Sequence, residues 1–217
     1  MTINHTIEKV ILFNDIIGST KQWNKYGNRM FKEIERVTTI VNNLLKKTNG
    51  VLIKMVGDSY MIAFDELLDS IVFAVKFDDK LNNTKTLLDK RLLFRTGIYY
   101  GKVIEKHMKI QKCIMKDFFG SVVNIASRIE SKVSDENSIA IGIKTRKILT
   151  DVLNFLIDKK YKYEIIDFEK ACKKHTLKNN ITSKKFLASR HIHERCKSLK
   201  NLKGVAKDIT VLKIMKK

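Results

Sequence analysis

The sequence contains no proline, only three cysteines and a single tryptophan in 217 residues. Without proline, no stiff Pro-rich linker marks a domain boundary. The cysteines, Cys113, Cys172 and Cys196, are scattered and odd in number, which argues against a disulfide framework. They predict a reducing compartment, by default the cytosol. No stretch approaches the roughly 18 uninterrupted apolar residues that a membrane helix needs. The first residues, MTINHTIEKVILFND, show no basic segment ahead of a long apolar one, so no signal peptide is expected. With 44% hydrophobic and 30% charged residues, the composition is that of an ordinary globular protein. The length suffices for one well-cored domain, expected to span residues 1–217.

Negative charge is also scarce. Forty-three Lys and Arg stand against 23 Asp and Glu, a net charge of +20. Only 8 of the basic residues are Arg, and this Lys bias weakens a specific nucleic-acid reading, which leans on bidentate Arg. The excess is uneven: residues 158–217 hold 18 Lys and Arg against 6 Asp and Glu. A triphosphate substrate, an anionic membrane surface or a nucleic acid would each answer such a field, and so would a plain Lys-rich solvated surface. Within this part, Lys170 to Lys185 is polar and weakly patterned, and is expected to be a basic loop or arm lying within about residues 168–200.

What is present has clear periodicity. Val10 to Phe13 is a short apolar run ending at Asn14-Asp15, the pattern of a buried strand with a carboxylate at its end. Met30, Ile34, Val37, Val41, Leu44 and Leu45 step by three and four, predicting a helix, with Gly50 as its C-terminal glycine. Val51 to Val56, Gly57-Asp58 and Ser59 to Phe64 read as a β-hairpin with an Asp at its tip. A helix around Leu67, Leu68, Ile71 and Val75 and a strand from Leu92 to Tyr99 follow. Further on come a helix from Gly120 to Val133, a strand from Ser138 to Ile143 and a helix from Lys144 to Leu156. Tyr163 to Ile166 and Ile209 to Ile214 are expected to close the fold as a strand pair. Strand, helix, hairpin, helix, strand is a ferredoxin-like βαββαβ core, so the expected class is an α/β sandwich with added C-terminal elements.

Asp15 at a strand end and Asp58 on a hairpin tip can converge in such a core. Two converging carboxylates suit a hard divalent cation that shares its site with substrate phosphates. Gly18-Ser19-Thr20, at a helix start, could offer backbone N–H groups to a polyphosphate. Taken alone, an Asp in a Gly-Asp turn is more often ordinary turn chemistry. On the helix after Gly120, Asn124 and Arg128 are four apart and share a face, while Val122, Ala126, Ile129 and Val133 fall opposite. That helix buries its apolar side and turns Asn and Arg outward; a simple solvated face would look the same.

The segments FNDIIGST (13–20), IKMVGDSYMIAF (53–64) and DFFGSVVNIASRIES (117–131) resemble, in order and spacing, the three signature segments of class III adenylate and guanylate cyclase catalytic domains. RTGIYYGKV (95–103) resembles the family's central strand, and NLKGVAKDITVLKI (201–214) its closing Lys-Gly strand. The resemblance covers roughly residues 8–214. It implies that Asp15 and Asp58, with the backbone carbonyl of Ile16, hold two divalent cations, Mg²⁺ or Mn²⁺. It further implies that Lys54 and Asp117 read the base, that Asn124 orients the ribose, and that Arg128 stabilises charge on the transferring phosphorus. Lys203 or Lys207 would meet the terminal phosphates. The family builds its site between two catalytic domains, and this chain carries both half-sets, so the resemblance implies a head-to-tail homodimer.

Lys54 can donate to a ring nitrogen of adenine and Asp117 can accept from its exocyclic amine, which favours ATP; guanylate cyclases commonly carry Glu and Cys at those positions. Single-domain relatives that make cyclic CMP or cyclic UMP keep a pyrimidine triphosphate open, because cytosine also offers an amine. Ser19, where many members have Phe, and Asn14, directly before the metal Asp, depart from the family pattern without removing a ligand. A catalytically idle nucleotide- or partner-binding module is the rival of another class, though none of the expected site residues is missing. His191, His193 and Cys196 form a zinc-like cluster without a second ligand group at a usual spacing, and are expected to be surface residues. Met55, Met61, Phe118 and Phe119 are expected in the core or a dimer interface.

Overall fold

The computed structural model describes residues 5–110, 113–136, 138–144, 146–158, 162–167 and 209–215. Chain order is β1 (His5–Ile16), α1 (Ser19–Tyr26), α2 (Asn28–Leu45), β2 (Val51–Val56), β3 (Ser59–Phe64), α3 (Leu67–Asn83), β4 (Phe94–Ile110) and β5 (Cys113–Phe119). There follow α4 (Ser121–Val133), β6 (Ile139–Ile143), α5 (Arg146–Asp158), β7 (Lys162–Asp167) and β8 (Thr210–Met215). The strands form one sheet in the order β2-β3-β1-β4-β6-β8-β7, with β5 paired to β4 as a hairpin arm. Its first four strands, β2-β3-β1-β4, are the ferredoxin-like core expected from the sequence. The expected closing pair is also there, with β7 antiparallel to β8.

Both faces of the sheet are covered, which is why its central strands read as continuous apolar runs. Val10, Leu12 and Ile16 point to one side, with Ile62, Phe64, Ile98, Ile141 and Leu212, under α2, α3 and α5. Ile11 points to the other, with Met61, Ala63, Tyr99, Ala140 and Val211, under α4. The first core is dominated by aromatic packing. Phe73 stacks on Phe77 at 6.0 Å and Phe77 meets Phe94 edge-on at 5.1 Å. The second core depends on close approach. A Cβ on Gly97 would lie 2.3 Å from the backbone nitrogen of Glu130, so only glycine lets α4 settle this close to β4.

A polar clamp completes the first face. Glu33, fully buried on α2, accepts hydrogen bonds from Arg36 (2.9 and 2.7 Å), Thr86 Oγ1 (2.8 Å) and the backbone N–H of Leu87 (2.9 Å). It pins the loop after α3 onto α2.

The structure departs from the sequence reading at three places, and one expected segment cannot be compared. β4 runs to Ile110, well past Tyr99, because it continues as an arm with β5, a strand the periodicity did not indicate. The Gly-Ser-Thr turn opens a separate short helix, α1, and Gly27 at φ 50° separates it from α2. Gly50 is not the left-handed helix terminator; Asn49 takes that role at φ 52°. Gly50 is required because a Cβ there would sit 2.4 Å from the Phe64 ring. The basic segment, with Lys203, Lys207, His191, His193 and Cys196, lies outside the described residues.

Candidate active site

β1 pairs antiparallel with β3 through Asn14↔Tyr60, which carries the strand end at Asp15 toward the Gly57-Asp58 tip of the β2–β3 hairpin. The two carboxylates lie close enough for the charge of Asp15 to act on Asp58. Burial pushes the Asp58 carboxyl above its usual range and Asp15 pushes it further, while its own backbone N–H and the Ser19 hydroxyl pull it back. Asp58 Oδ2 is buried and has no hydrogen-bond partner among the described residues. A buried, partnerless carboxylate oxygen beside a second carboxylate is costly unless a cation joins it. The donor set therefore fits a hard divalent ion. Among the described residues no three His, Cys, Asp or Glu converge as a closed metal cage, so water and substrate oxygens would complete the coordination. Ile16 buries its side chain in the core and can contribute only backbone. Gly18 adopts φ 64° and caps α1, with the Lys21 and Gln22 N–H groups bonded to its carbonyl; Ser19 and Thr20 begin the helix beside the aspartates.

Two residues to which the sequence reading gave no role complete this half. Arg95, opposite Asp15 on β4, donates from Nη2 to Asp15 Oδ2 at 2.8 Å. Its Nε side faces Glu130 of α4 in a buried ion pair. Burial drives the Glu130 carboxyl up to about 7, with Asp15 adding to the rise and Arg95 opposing it. Asn14, on the opposite face of β1, is buried; its Nδ2 donates to Thr96 Oγ1 at 2.7 Å and its Oδ1 has no partner among the described residues.

Lys54 and Asp117, which the resemblance expects to read the base, are brought together within the chain. Lys54 follows an irregularity in β2 that shifts its register by one residue and re-aims the strand. Its ammonium meets Asp117 Oδ2 at 2.5 Å, and Asp117 Oδ1 accepts the Phe118 N–H at 2.8 Å. Asp117 is 7% exposed, so a neutral partner there would leave a buried charge. Around this pair β2 and β5 leave Val51, Met55, Val56, Met115 and Phe119 exposed. Met61 and Phe118 are core residues.

On α4, Asn124 and Arg128 are exposed, whereas Val122, Ala126, Ile129 and Val133 are buried, as the spacing indicated. Neither Asn124 nor Arg128 is needed by its own core. The helix shows both outward.

A family profile described as "Adenylate and Guanylate cyclase catalytic domain" matches residues 3–179. An adenylate cyclase of Schizosaccharomyces pombe is 27% identical over 161 residues, 65% of this chain and 9% of that protein. An adenylate cyclase of Streptomyces griseus is 26% identical over 140 residues, 64% of this chain and 32% of that protein. The chain thus spans a minor part of the relatives it matches. In fold it is similar to the catalytic core of a rhodopsin-guanylyl cyclase with converted specificity in complex with ATPαS, with a TM-score of 0.69, 18% identity and 100% of each chain covered. It is likewise similar to the adenylyl cyclase CyaB from P. aeruginosa, with a TM-score of 0.67, 15% identity and coverage of 99% of this chain and 96% of that one. The signature segments, the sheet order and the match over residues 3–179 place this chain in the adenylate and guanylate cyclase catalytic domain family.

Proposed function

We propose that the chain is a nucleotidyl cyclase that converts a nucleoside triphosphate, ATP in the first instance, to its 3′,5′-cyclic monophosphate and pyrophosphate. The observation that carries this reading is the buried, unpartnered Oδ2 of Asp58 set beside Asp15, in a chain that also presents Asn124 and Arg128 away from its own core. Asp15, Asp58 and the Ile16 carbonyl would hold divalent cations, Mg²⁺ or Mn²⁺, whose chemistry is to acidify the ribose 3′-hydroxyl and neutralise the phosphates. The 3′-oxygen bonds to the α-phosphorus as the bond to the bridging oxygen breaks, pyrophosphate leaves and the hydroxyl proton passes to solvent.

The chain's own groups supply position and charge, which dominate phosphoryl-transfer catalysis. Asn124 orients the ribose. Arg128 places a permanent planar charge against the transferring phosphoryl group. Gly18, Ser19 and Thr20 supply N–H groups to the phosphates, with Lys203 or Lys207 at the terminal ones. Lys54 donates to adenine and Asp117 accepts from its amine. One chain points its Asn124 and Arg128 outward, and on this reading the partner's aspartates face them in a head-to-tail homodimer with two sites. The exposed apolar residues of β2 and β5 around Lys54 and Asp117 suit that contact. The whole chain is read as one catalytic domain.

The test is direct. Purified protein is incubated separately with ATP, GTP, CTP and UTP plus Mn²⁺ or Mg²⁺, and products are resolved by chromatography. Cyclic AMP as the main product is expected. Cyclic CMP in its place would move the base assignment, since Asp117 can accept cytosine's amine too. No cyclic product from any triphosphate, with folded dimer present, would overturn the enzyme reading in favour of an idle binding module.

A further inference from the structure

The Arg95 guanidinium lies between two carboxylates borne by different elements, Asp15 on β1 and Glu130 on α4. A cation arriving at Asp15 must compete with Arg95, which already donates to its Oδ2 at 2.8 Å. The outcome depends on how much of the Arg95 charge is held elsewhere. We propose that Glu130 is a positioning residue that sets how tightly Asp15 holds a divalent cation, by drawing off the charge of Arg95. This inference rests on the reading of Asp15 as a metal ligand.

Three observations support it. First, the arrangement is closely packed. With Gly97 against the backbone of Glu130, α4 is pressed to within contact of β4, and the Glu130 side chain, 7% exposed, faces Arg95 two residues back on the same strand. Second, among the described residues Glu130 pairs with Arg95 alone, and that guanidinium is shared with Asp15. Glu33 shows what a clamp in this fold looks like, with four hydrogen bonds from three residues. Third, the charges are in deficit on this side. Two carboxylates share one guanidinium, and Asp58 beside them has a bare oxygen. Removing the charge of Glu130 leaves Arg95 wholly to Asp15, where it opposes the cation; removing Arg95 as well takes the competitor away.

The experiment measures Mn²⁺ binding to the full chain without nucleotide at about pH 8, where the Glu130 carboxyl is mostly ionised, reading free Mn²⁺ by electron paramagnetic resonance. It needs neither the right base nor turnover. Glu130→Gln is expected to weaken Mn²⁺ binding roughly 10–100-fold, the usual effect of a group that orients a ligand. The double variant Arg95→Ala/Glu130→Gln should recover affinity to within about threefold of the original, a non-additivity that a purely structural pair would not give. Unchanged affinity in Glu130→Gln, or a double variant as weak as the single one, would overturn the inference. Should Glu130→Gln fail to fold by circular dichroism, Glu130→Asp draws the carboxylate back by one methylene. It is expected to bind Mn²⁺ more weakly, and wild-type affinity there would also overturn the proposal. Asp15→Asn separates the two levels. If it binds Mn²⁺ like the original chain, the metal reading itself fails; if it loses binding while Glu130→Gln does not, only the present inference fails.

Discussion

Glu33 and Glu130 are both buried glutamates beside an arginine, on helices packed against opposite faces of one sheet. At Glu33, burial alone would raise the carboxyl, but hydrogen bonds from Arg36, Leu87 N–H and Thr86 outweigh it and hold the group below its usual range. At Glu130, burial wins: one arginine, shared with Asp15, leaves the carboxyl at about 7. A charge that folding needs is fully satisfied. A charge left short of partners is held there by the rest of the fold, and such groups cluster where a ligand is meant to complete the set. On the proposed reading, the face under α2 and α3 is scaffold and the face under α4 carries the chemistry.

The sharpest way to break this contrast is Glu33→Ala. Removing it strips Arg36, Thr86 and the Leu87 N–H of their acceptor, and should cost about 3–5 kcal/mol in urea unfolding. Activity per folded molecule should survive. Comparable loss of activity at permissive temperature would mean that the two faces are not separable. Arg128→Ala should do the reverse, lowering turnover on the order of 10²–10³-fold with the unfolding midpoint nearly unmoved, since the exposed side chain packs against nothing in its own core. A large stability loss there would place Arg128 in the scaffold.

The smallest effect is in the pH dependence, and its sign differs between the two glutamates. Glu130 is raised from 4.5 to about 7, so the folded state keeps a proton that the unfolded chain has already released. Its contribution therefore declines as pH rises from 4.5 through 7, and Glu130→Gln should flatten that decline. Glu33 is lowered, so its contribution is present above the ordinary carboxylate range and is lost as pH falls through it. Urea midpoints across this range for Glu33→Gln and Glu130→Gln should shift in opposite senses. Parallel curves would erase the distinction.

How far these sites could be read in the sequence follows from how local their signals are. β1, the β2–β3 hairpin, α3 and α4 each announce themselves within a dozen or so residues, by alternation, a Gly-Asp tip or a 3.6-residue period. The aspartate pair and the outward Asn124 and Arg128 were visible for that reason. The arm made by β4 and β5 was not, because positions 110–113 carry none of the Gly, Asn or Pro that mark a hairpin turn. Lys54 and Asp117 are 63 residues apart, so only the family resemblance linked them. Arg95 and Glu130 were quoted within motifs but given no role. What they do appears once β4 lies beside β1 in register Asp15↔Arg95 and Gly97 brings α4 down on them. Both steps are tertiary.

The most direct test of a site shared between two copies of this chain mixes two inactive variants. Asp58→Asn and Arg128→Ala each remove one half-set, so either homodimer alone should form almost no cyclic nucleotide. After subunit exchange, a mixed dimer carries one doubly damaged site and one intact site. Product formation should then return to roughly a quarter of the unmodified level, because about half of the dimers are mixed and each has one working site of two. Mixed samples that stay as inactive as their parents, with exchange verified, would contradict the account.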